Sequence, residues 1–143
     1  MAKTSIPSAF DALMQIRGTD ILLISKQGLI VRINESAAEQ FWYKEKELVG
    51  KHMEVLLPED IRPQHRKFQE AYYKKPGNRE MGKGRVTKGL RKDGKEFPIH
   101  AELGYFHEQG EEHVMVQVSV VHEIAHIVAQ QQHDKVFAER ILR

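Results

Sequence analysis

The chain has 143 residues, of which 41% are hydrophobic and 29% are charged, as in an ordinary globular domain with its own core. Its 22 basic and 20 acidic residues leave a net charge of +2, which gives no electrostatic reason to expect nucleic acid or an anionic membrane as a partner. The absence of cysteine excludes disulfides, thiolate metal sites and cysteine nucleophiles. No stretch has the pattern of a signal peptide or a membrane span, so we expect a cytoplasmic protein.

Short helical and strand patterns alternate in the first third of the chain. They predict an amphipathic helix over residues 6–16, strands over 20–25 and 29–33, and helices over 37–42 and 44–48. Gln27 and Gly28 form the turn between the two strands. Asn34 and Ser36 precede the first of the later helices and can accept hydrogen bonds from its unpaired amides.

The longest helical pattern follows, over residues 59–75. Ile61, His65, Phe68 and Tyr72 share one face of this helix. Three strands are then predicted over 84–92, 96–106 and 113–121, and an exit helix over 124–143. Asp93-Gly94 between the first two of these strands indicates a hairpin whose favoured tight turn needs positive φ at both central residues. The order predicts an α+β domain with a five-stranded antiparallel sheet.

Several collinear segments resemble the PAS sensory-domain family. They are QGLI through Asn34, AAEQFWY at 37–43, ELVGK at 47–51, Leu57-Pro58, GKGR at 82–85, and RKDG with Phe97-Pro98 in the stretch MGKGRVTKGLRKDGKEFP. The resemblance implies a PAS fold, with short helices on one face of the sheet and N- and C-terminal helices flanking it. We divide the chain into an N-terminal helix (1–18), the PAS domain (19–122) and a C-terminal signalling and dimerisation helix (123–143).

The family implies a sensor that is not an enzyme. A small ligand or cofactor would bind between the sheet and the helices, and its presence would be relayed through the terminal helices to an effector domain or partner signalling protein. An apolar stripe on the predicted exit helix, together with the N-terminal helix, favours a homodimer. We expect a bacterial protein that binds neither nucleic acid nor the membrane interior. A ligand-free PAS dimerisation module is the alternative.

The motifs are most similar to those of the haem-PAS oxygen sensors. In that branch a histidine on the long helix binds the iron of haem b, and an arginine on the next strand contacts bound oxygen or a haem propionate. His65 and Arg85 lie at these positions. The resemblance makes His65 the metal ligand and gives the following cofactor-binding residues: His65, Arg85, Arg79, Phe68, Met81 and Leu103.

Two positions depart from the haem sensors. Glu80 stands where they carry a large apolar side chain over the iron, and a carboxylate in an apolar pocket is costly unless it is paired or protonated. Ala101 replaces a bulkier aliphatic residue. Many PAS domains without haem also carry a histidine in the segment that matches His65-Arg66-Lys67-Phe68, so both interpretations stay open.

His122-Glu123-Ile124-Ala125-His126 matches the HExxH pattern, which on a helix can bind zinc with the glutamate as general base. A zinc hydrolase is therefore a remote alternative. It lacks a third ligand, because His133 lies seven residues beyond His126, about 10 Å along a helix axis. The remaining histidines, among them His113, are expected to lie at the surface or to be satisfied within the structure. Trp42 and Tyr43 are expected to cover the core.

Overall fold

The computed structural model describes residues 9–77, 79–80, 86–108 and 110–121. The helices are α1 (Ala9–Met14), α2 (Glu35–Gln40), α3 (Glu45–Leu48) and α4 (Arg62–Lys74), with 3₁₀ turns at Met53–Leu56 and Glu59–Ile61. The strands are β1 (Asp20–Ser25), β2 (Ile30–Ile33), β3 (Arg79–Glu80), β4 (Thr87–Leu90), β5 (Glu96–Glu108) and β6 (Glu111–Val120). No helix in the described ranges is long and apolar enough to cross a membrane.

All the strands join one antiparallel sheet in the order β2-β1-β6-β5, with β3 and β4 on the far side of β5. β3 pairs with β5 around Leu103, and β4 pairs with its start, from Ile99 to Glu96. These two segments therefore lie one after the other along the same edge, and the sheet has five strand positions. This confirms the predicted α+β fold with a five-stranded antiparallel sheet.

The core lies between the sheet and the helices on one of its faces. Alternate residues of the strands point to this face, because side chains along a strand change sides at every residue. The sheet contributes Leu22, Ile24, Ile99, Ala101, Val114, Val116 and Val118, and the helices and their connections contribute Ala37, Ala38, Phe41, Leu48, Leu56 and Tyr72. Phe41 is among the largest fully buried side chains, at 1% exposure.

The side chain of Asn34 joins three elements. Its Oδ1 accepts hydrogen bonds from the backbone N–H of Ile21 in β1 (3.0 Å) and of Ala37 in α2 (3.1 Å). Its Nδ2 donates to the carbonyl oxygen of Thr19 (2.5 Å). The predicted helix cap is thereby confirmed for Asn34. Ser36 does not cap the helix, since its hydroxyl instead donates to the buried carboxylate of Asp20.

The predicted hairpin joins β4 to β5, but the turn differs from the predicted one. Among the non-glycine residues described, Trp42 alone has a positive φ, so Asp93 does not, while Gly94 has φ +92°. The N–H of Gly94 donates to the carbonyl of Arg91, whose own N–H donates to Lys95. The loop therefore consists of Lys92, Asp93 and Gly94, the three residues predicted for the turn, but only Gly94, and not Asp93 as well, is in the left-handed region.

Trp42 does not cover the core, contrary to expectation. It is 56% exposed, and its φ of +64° is in the left-handed region that strains a bulky residue. The guanidinium of Arg91 lies 3.6 Å from the centre of the ring, and two hydrogen bonds hold that guanidinium on Asp93. The Trp42 ring therefore links the helical layer to the β4–β5 turn at the protein surface. Tyr43, in contrast, packs against the core.

Replacing Trp42 should separate the effect of the ring from that of the backbone. Trp42→Ala and Trp42→Gly both remove the stacking on Arg91, but only glycine also relieves the left-handed strain. We expect Trp42→Gly to be more stable than Trp42→Ala by about 1 kcal/mol. Urea unfolding of both variants measures the difference. Equal stability would show that the backbone at this position is not strained.

Gly89 in β4 allows two phenylalanines to meet. A Cβ at this position would lie 2.9 Å from a ring carbon of Phe41 and 3.0 Å from one of Phe97. The two rings are themselves in contact, with centroids 5.1 Å apart. Because Gly89 has no side chain, β4 can pack closely against these two rings.

Gly89→Ala should lower the free energy of unfolding by about 1–3 kcal/mol, the usual cost of overpacking a core. Gly77→Ala is the matched control, because a Cβ there would meet nothing within 4 Å and its φ is not positive. We expect the control to change stability by less than about 0.5 kcal/mol. Chemical denaturation measures both, and a neutral Gly89→Ala would contradict the described packing.

Candidate ligand cavity

A cavity of about 50 Å³ lies between α4 and the inner face of the sheet. Its wall is formed by Ile24, Met53, His65, Phe68, Gln69, Tyr72, Tyr73, Leu103, Val114 and Val116. The sheet side is aliphatic and the helix side is largely aromatic, because α4 turns one face toward the sheet. Of the predicted shared face, His65, Phe68 and Tyr72 line the cavity, whereas Ile61 belongs to the preceding 3₁₀ turn and does not line it.

Two tyrosines of α4 line the cavity, and each donates a hydrogen bond through its hydroxyl group. The hydroxyl of Tyr73 donates to the carbonyl of Ser25 in β1 (3.1 Å), and that of Tyr72 donates to the carbonyl of Gly77 (2.7 Å). Burial raises the pKa of Tyr73 to about 12, so this phenol stays protonated at physiological pH. The ring of Tyr72 also stacks on Phe68, with centroids 6.4 Å apart.

His65 is a wall residue whose side chain can change its charge near neutral pH. Its side chain is 8% exposed, and its Nδ1 has no hydrogen-bond partner within the described part of the chain. Burial lowers the pKa of His65 below its ordinary value of 6.5, and the nearby charge of Glu54 only partly opposes this. A neutral imidazole with one unsatisfied ring nitrogen therefore borders an otherwise mainly apolar space.

The lowered pKa of His65 makes stability depend on pH. The unfolded chain binds this proton near pH 6.5, whereas the folded chain binds it only at lower pH. Stability is therefore highest above about pH 7 and falls as the pH decreases from 6.5 toward the folded-state pKa, by at most about 1.4 kcal/mol per pH unit. Urea unfolding at several pH values should show a smaller acid loss in His65→Leu than in the unaltered protein. Identical profiles would contradict the buried neutral imidazole.

The predicted site residues are only partly brought together. His65, Phe68 and Leu103 border the same cavity. Arg85 and Met81 lie outside the described residues, and of Arg79 the backbone alone is described, paired with Leu103. The HExxH segment that begins at His122 also lies outside them. Among the residues described, no three histidine, aspartate or glutamate side chains are grouped as a metal site.

Sequence reasoning missed several residues of this region. Met53 and Tyr73 line the cavity although no motif marks them. His113, expected at the surface or satisfied, is buried, and its Nδ1 has no hydrogen-bond partner in the part of the chain that the structure describes. Its ring lies nearly parallel to that of Phe106, with centroids 5.6 Å apart, on the opposite face of the sheet from the core. Alternation along β6 could have indicated that face, but not the burial.

The cavity offers haem a suitable ligand atom but is too small to hold it. A buried imidazole with a free nitrogen on an apolar wall is a reasonable iron ligand. The cavity of about 50 Å³, however, is far smaller than the roughly 300–1,000 Å³ of typical cofactor pockets. Ala101 is buried in the adjoining core rather than in the cavity wall. A haem therefore does not fit the described arrangement of α4 and the sheet.

The molecule is an antiparallel sheet that carries short helices and a cavity on one face. A family model described as the PAS fold matches residues 10–122, well over half of the chain, and the chain belongs to this family. Among solved structures it is similar to the PAS domain of an HTR-like protein from Haloarcula marismortui, with a TM-score of 0.66 and 18% identity over 80% of this chain and 90% of that one. It is also similar to the LOV protein of Rhodobacter sphaeroides, with a TM-score of 0.65 and 14% identity over 79% of this chain and 65% of that one.

Two curated relatives are sensors by name. The sensor protein FixL of Bradyrhizobium diazoefficiens is 30% identical over 91 residues, which are 64% of this chain and 18% of FixL. The oxygen sensor protein DosP of Escherichia coli is 32% identical over 65 residues, which are 46% of this chain and 7% of DosP. The chain thus spans less than a fifth of the length of these relatives. It is a PAS sensory domain of signal transduction, related to sensor proteins.

Proposed function

We propose that this PAS domain senses a small molecule that occupies the cavity under α4, and that His65 is the side chain that recognises it. The observation that carries the proposal is that His65 lines the cavity and that its buried Nδ1 has no hydrogen-bond partner among the residues that the structure describes. A buried polar atom without a partner costs about 1–3 kcal/mol, so a bound molecule that pairs with it gains that energy.

The size and lining of the cavity define the class of ligand. A space of about 50 Å³ accepts a molecule of only a few heavy atoms unless α4 moves. The aliphatic wall formed by Ile24, Leu103 and Val114 favours an uncharged ligand. We infer a small neutral molecule, such as a dissolved gas, with one atom able to hydrogen-bond to the imidazole. The name of DosP, an oxygen sensor, supports the same class.

The cavity wall lies on the strands that lead out of the domain. Val114 and Val116 belong to β6, and β6 ends at Val120, directly before the segment proposed as the signalling helix. A ligand that favours one packing of this wall would shift the population of states available to that segment. As the sequence led us to expect, we also propose that the protein forms a homodimer and acts on an effector domain or a partner signalling protein. Its proposed setting is the cytoplasm of a bacterium.

Haem is the second candidate, because His65 has the required donor and the motifs are similar to those of the haem-PAS sensors. In this case Phe68 and Leu103 would contact the group, with Met81, Arg79 and Arg85 as the further contacts that the resemblance implies. The group would supply reversible gas binding at iron. The cavity would first have to enlarge, so this candidate requires a displacement of α4.

Two probes distinguish the candidates in the full chain. Xenon enters small apolar cavities, and we expect it to shift the NMR signals of the methyl groups of Ile24, Leu103 and Val114 but not those of Ile33, which is buried elsewhere. Haemin should produce a Soret band only if haem binds. That band should be retained in the control His107→Ala, an exposed histidine, and lost in His65→Ala.

Each outcome decides between the functions. Xenon shifts without a Soret band support direct binding of a small ligand, and a Soret band that depends on His65 supports haem. If neither probe perturbs the cavity residues, the sensing proposal is wrong and the ligand-free dimerisation module is favoured.

A further inference from the structure

α4 covers the cavity, and several polar contacts connect it to the rest of the domain. Toward its end, Tyr73 donates to β1 as described above. Near its start, the Nε of Arg62 donates to the carbonyl of Leu57 (3.1 Å). Between these points, an ion pair joins the helix to the 3₁₀ turn Met53–Leu56, whose Met53 also lines the cavity.

That ion pair connects Arg66 with Glu54 through two parallel hydrogen bonds. Nε of Arg66 lies 2.7 Å from Oε1 of Glu54, and a terminal guanidinium nitrogen lies 3.0 Å from Oε2. The Glu54 side chain is only 15% exposed, whereas that of Arg66 is 61% exposed. Two-pronged pairs of this type are directional and stronger than single surface contacts.

Each member of the pair has a sequence neighbour that lines the cavity. Met53, the neighbour of Glu54, and His65, the neighbour of Arg66, both line it. The Arg66 hydrogen bond lowers the pKa of Glu54, so the carboxylate stays charged at neutral pH. His52 lies at the same carboxylate, with its Nδ1 4.0 Å from Oε2 of Glu54. The pair therefore joins α4 to the 3₁₀ turn directly beside two cavity residues, His65 and Met53.

We propose that the Glu54–Arg66 ion pair is the latch of the cavity: it holds α4 near the 3₁₀ turn and sets how often the cavity widens. The inference rests on the proposed function, since it assigns to that cavity its route of access. A molecule larger than the present cavity needs α4 to move outward, and the proposed latch would break in that movement. Its removal speeds access without changing the residues that line the cavity.

The absence of native cysteine permits a direct measurement. Val116→Cys places a single thiol in the cavity wall, and Val118→Cys places one two residues along β6, on the same face but outside the wall. Both positions are buried, at 8% and 7% exposure. The rate of labelling by methyl methanethiosulfonate then reports how often each site becomes accessible.

We expect Glu54→Gln and Arg66→Met to raise the labelling rate of Val116→Cys about three- to tenfold and to leave that of Val118→Cys unchanged. Lys67→Met, an exposed neighbour on α4, is the matched control and should change neither rate. The double variant Glu54→Arg with Arg66→Glu restores opposite charges and should bring the rate back toward that of the unaltered pair.

Equal labelling of Val116→Cys with and without the ion pair would overturn the latch. A parallel rise at Val118→Cys would overturn it as well, because it would show general loosening of the domain. Labelling needs no ligand, so the latch is tested even if the sensing proposal fails. A confirmed latch combined with no xenon or haemin binding would reject the proposed function alone.

Discussion

The buried amide of Asn34 determines how the helices meet the sheet. It satisfies one backbone group before β1, one within β1 and one in the first turn of α2, so both its oxygen and its nitrogen are used. α2 carries the fully buried Ala37 and Ala38 and leads directly to Phe41. Because buried polar groups are costly when unpaired, only one placement of this helix satisfies the amide. The position of the core over the sheet depends on that placement.

The placement of α2 by Asn34 also affects the β4–β5 hairpin, because Phe41 at the end of α2 contacts it. The aromatic ring of Phe41 packs inward on Phe97 and fills the space left by Gly89, while the next residue points outward under Arg91. The carbonyl of Phe41 accepts a hydrogen bond from the N–H of Lys92 (3.0 Å). The helical face and the edge of the sheet are thus joined by contacts on both sides of the segment that begins at Phe41.

Local patterns in the sequence identified much of the fold. The helical spacing of His65, Phe68 and Tyr72 placed one face of α4 correctly, since that periodicity depends only on the helix itself. The hairpin was also predictable from Asp93-Gly94, but its turn type was not, because the register of the flanking strands decides the loop length. The exposure of Trp42 follows from the position of Arg91, nearly fifty residues later, and no local pattern contains that information.

The candidate site was predictable to a smaller extent. The resemblance pointed to His65, Phe68 and Leu103, and these residues do border one cavity. The volume of that cavity depends on how side chains from β1, β5, β6, α4 and a 3₁₀ turn pack against one another, which is a property of the assembled core. The ion pair of Glu54 could not be predicted from the sequence either, since its partner Arg66 lies twelve residues later on a different element.

The exposed indole has an optical consequence. Trp42 is the one tryptophan of the chain, and a guanidinium covers one face of its ring. Intrinsic fluorescence excited at the indole therefore originates from a single, known place where the helical layer touches the hairpin. Any rearrangement that separates these two layers alters the emission of the unlabelled protein, so the domain contains its own spectroscopic reporter of internal motion.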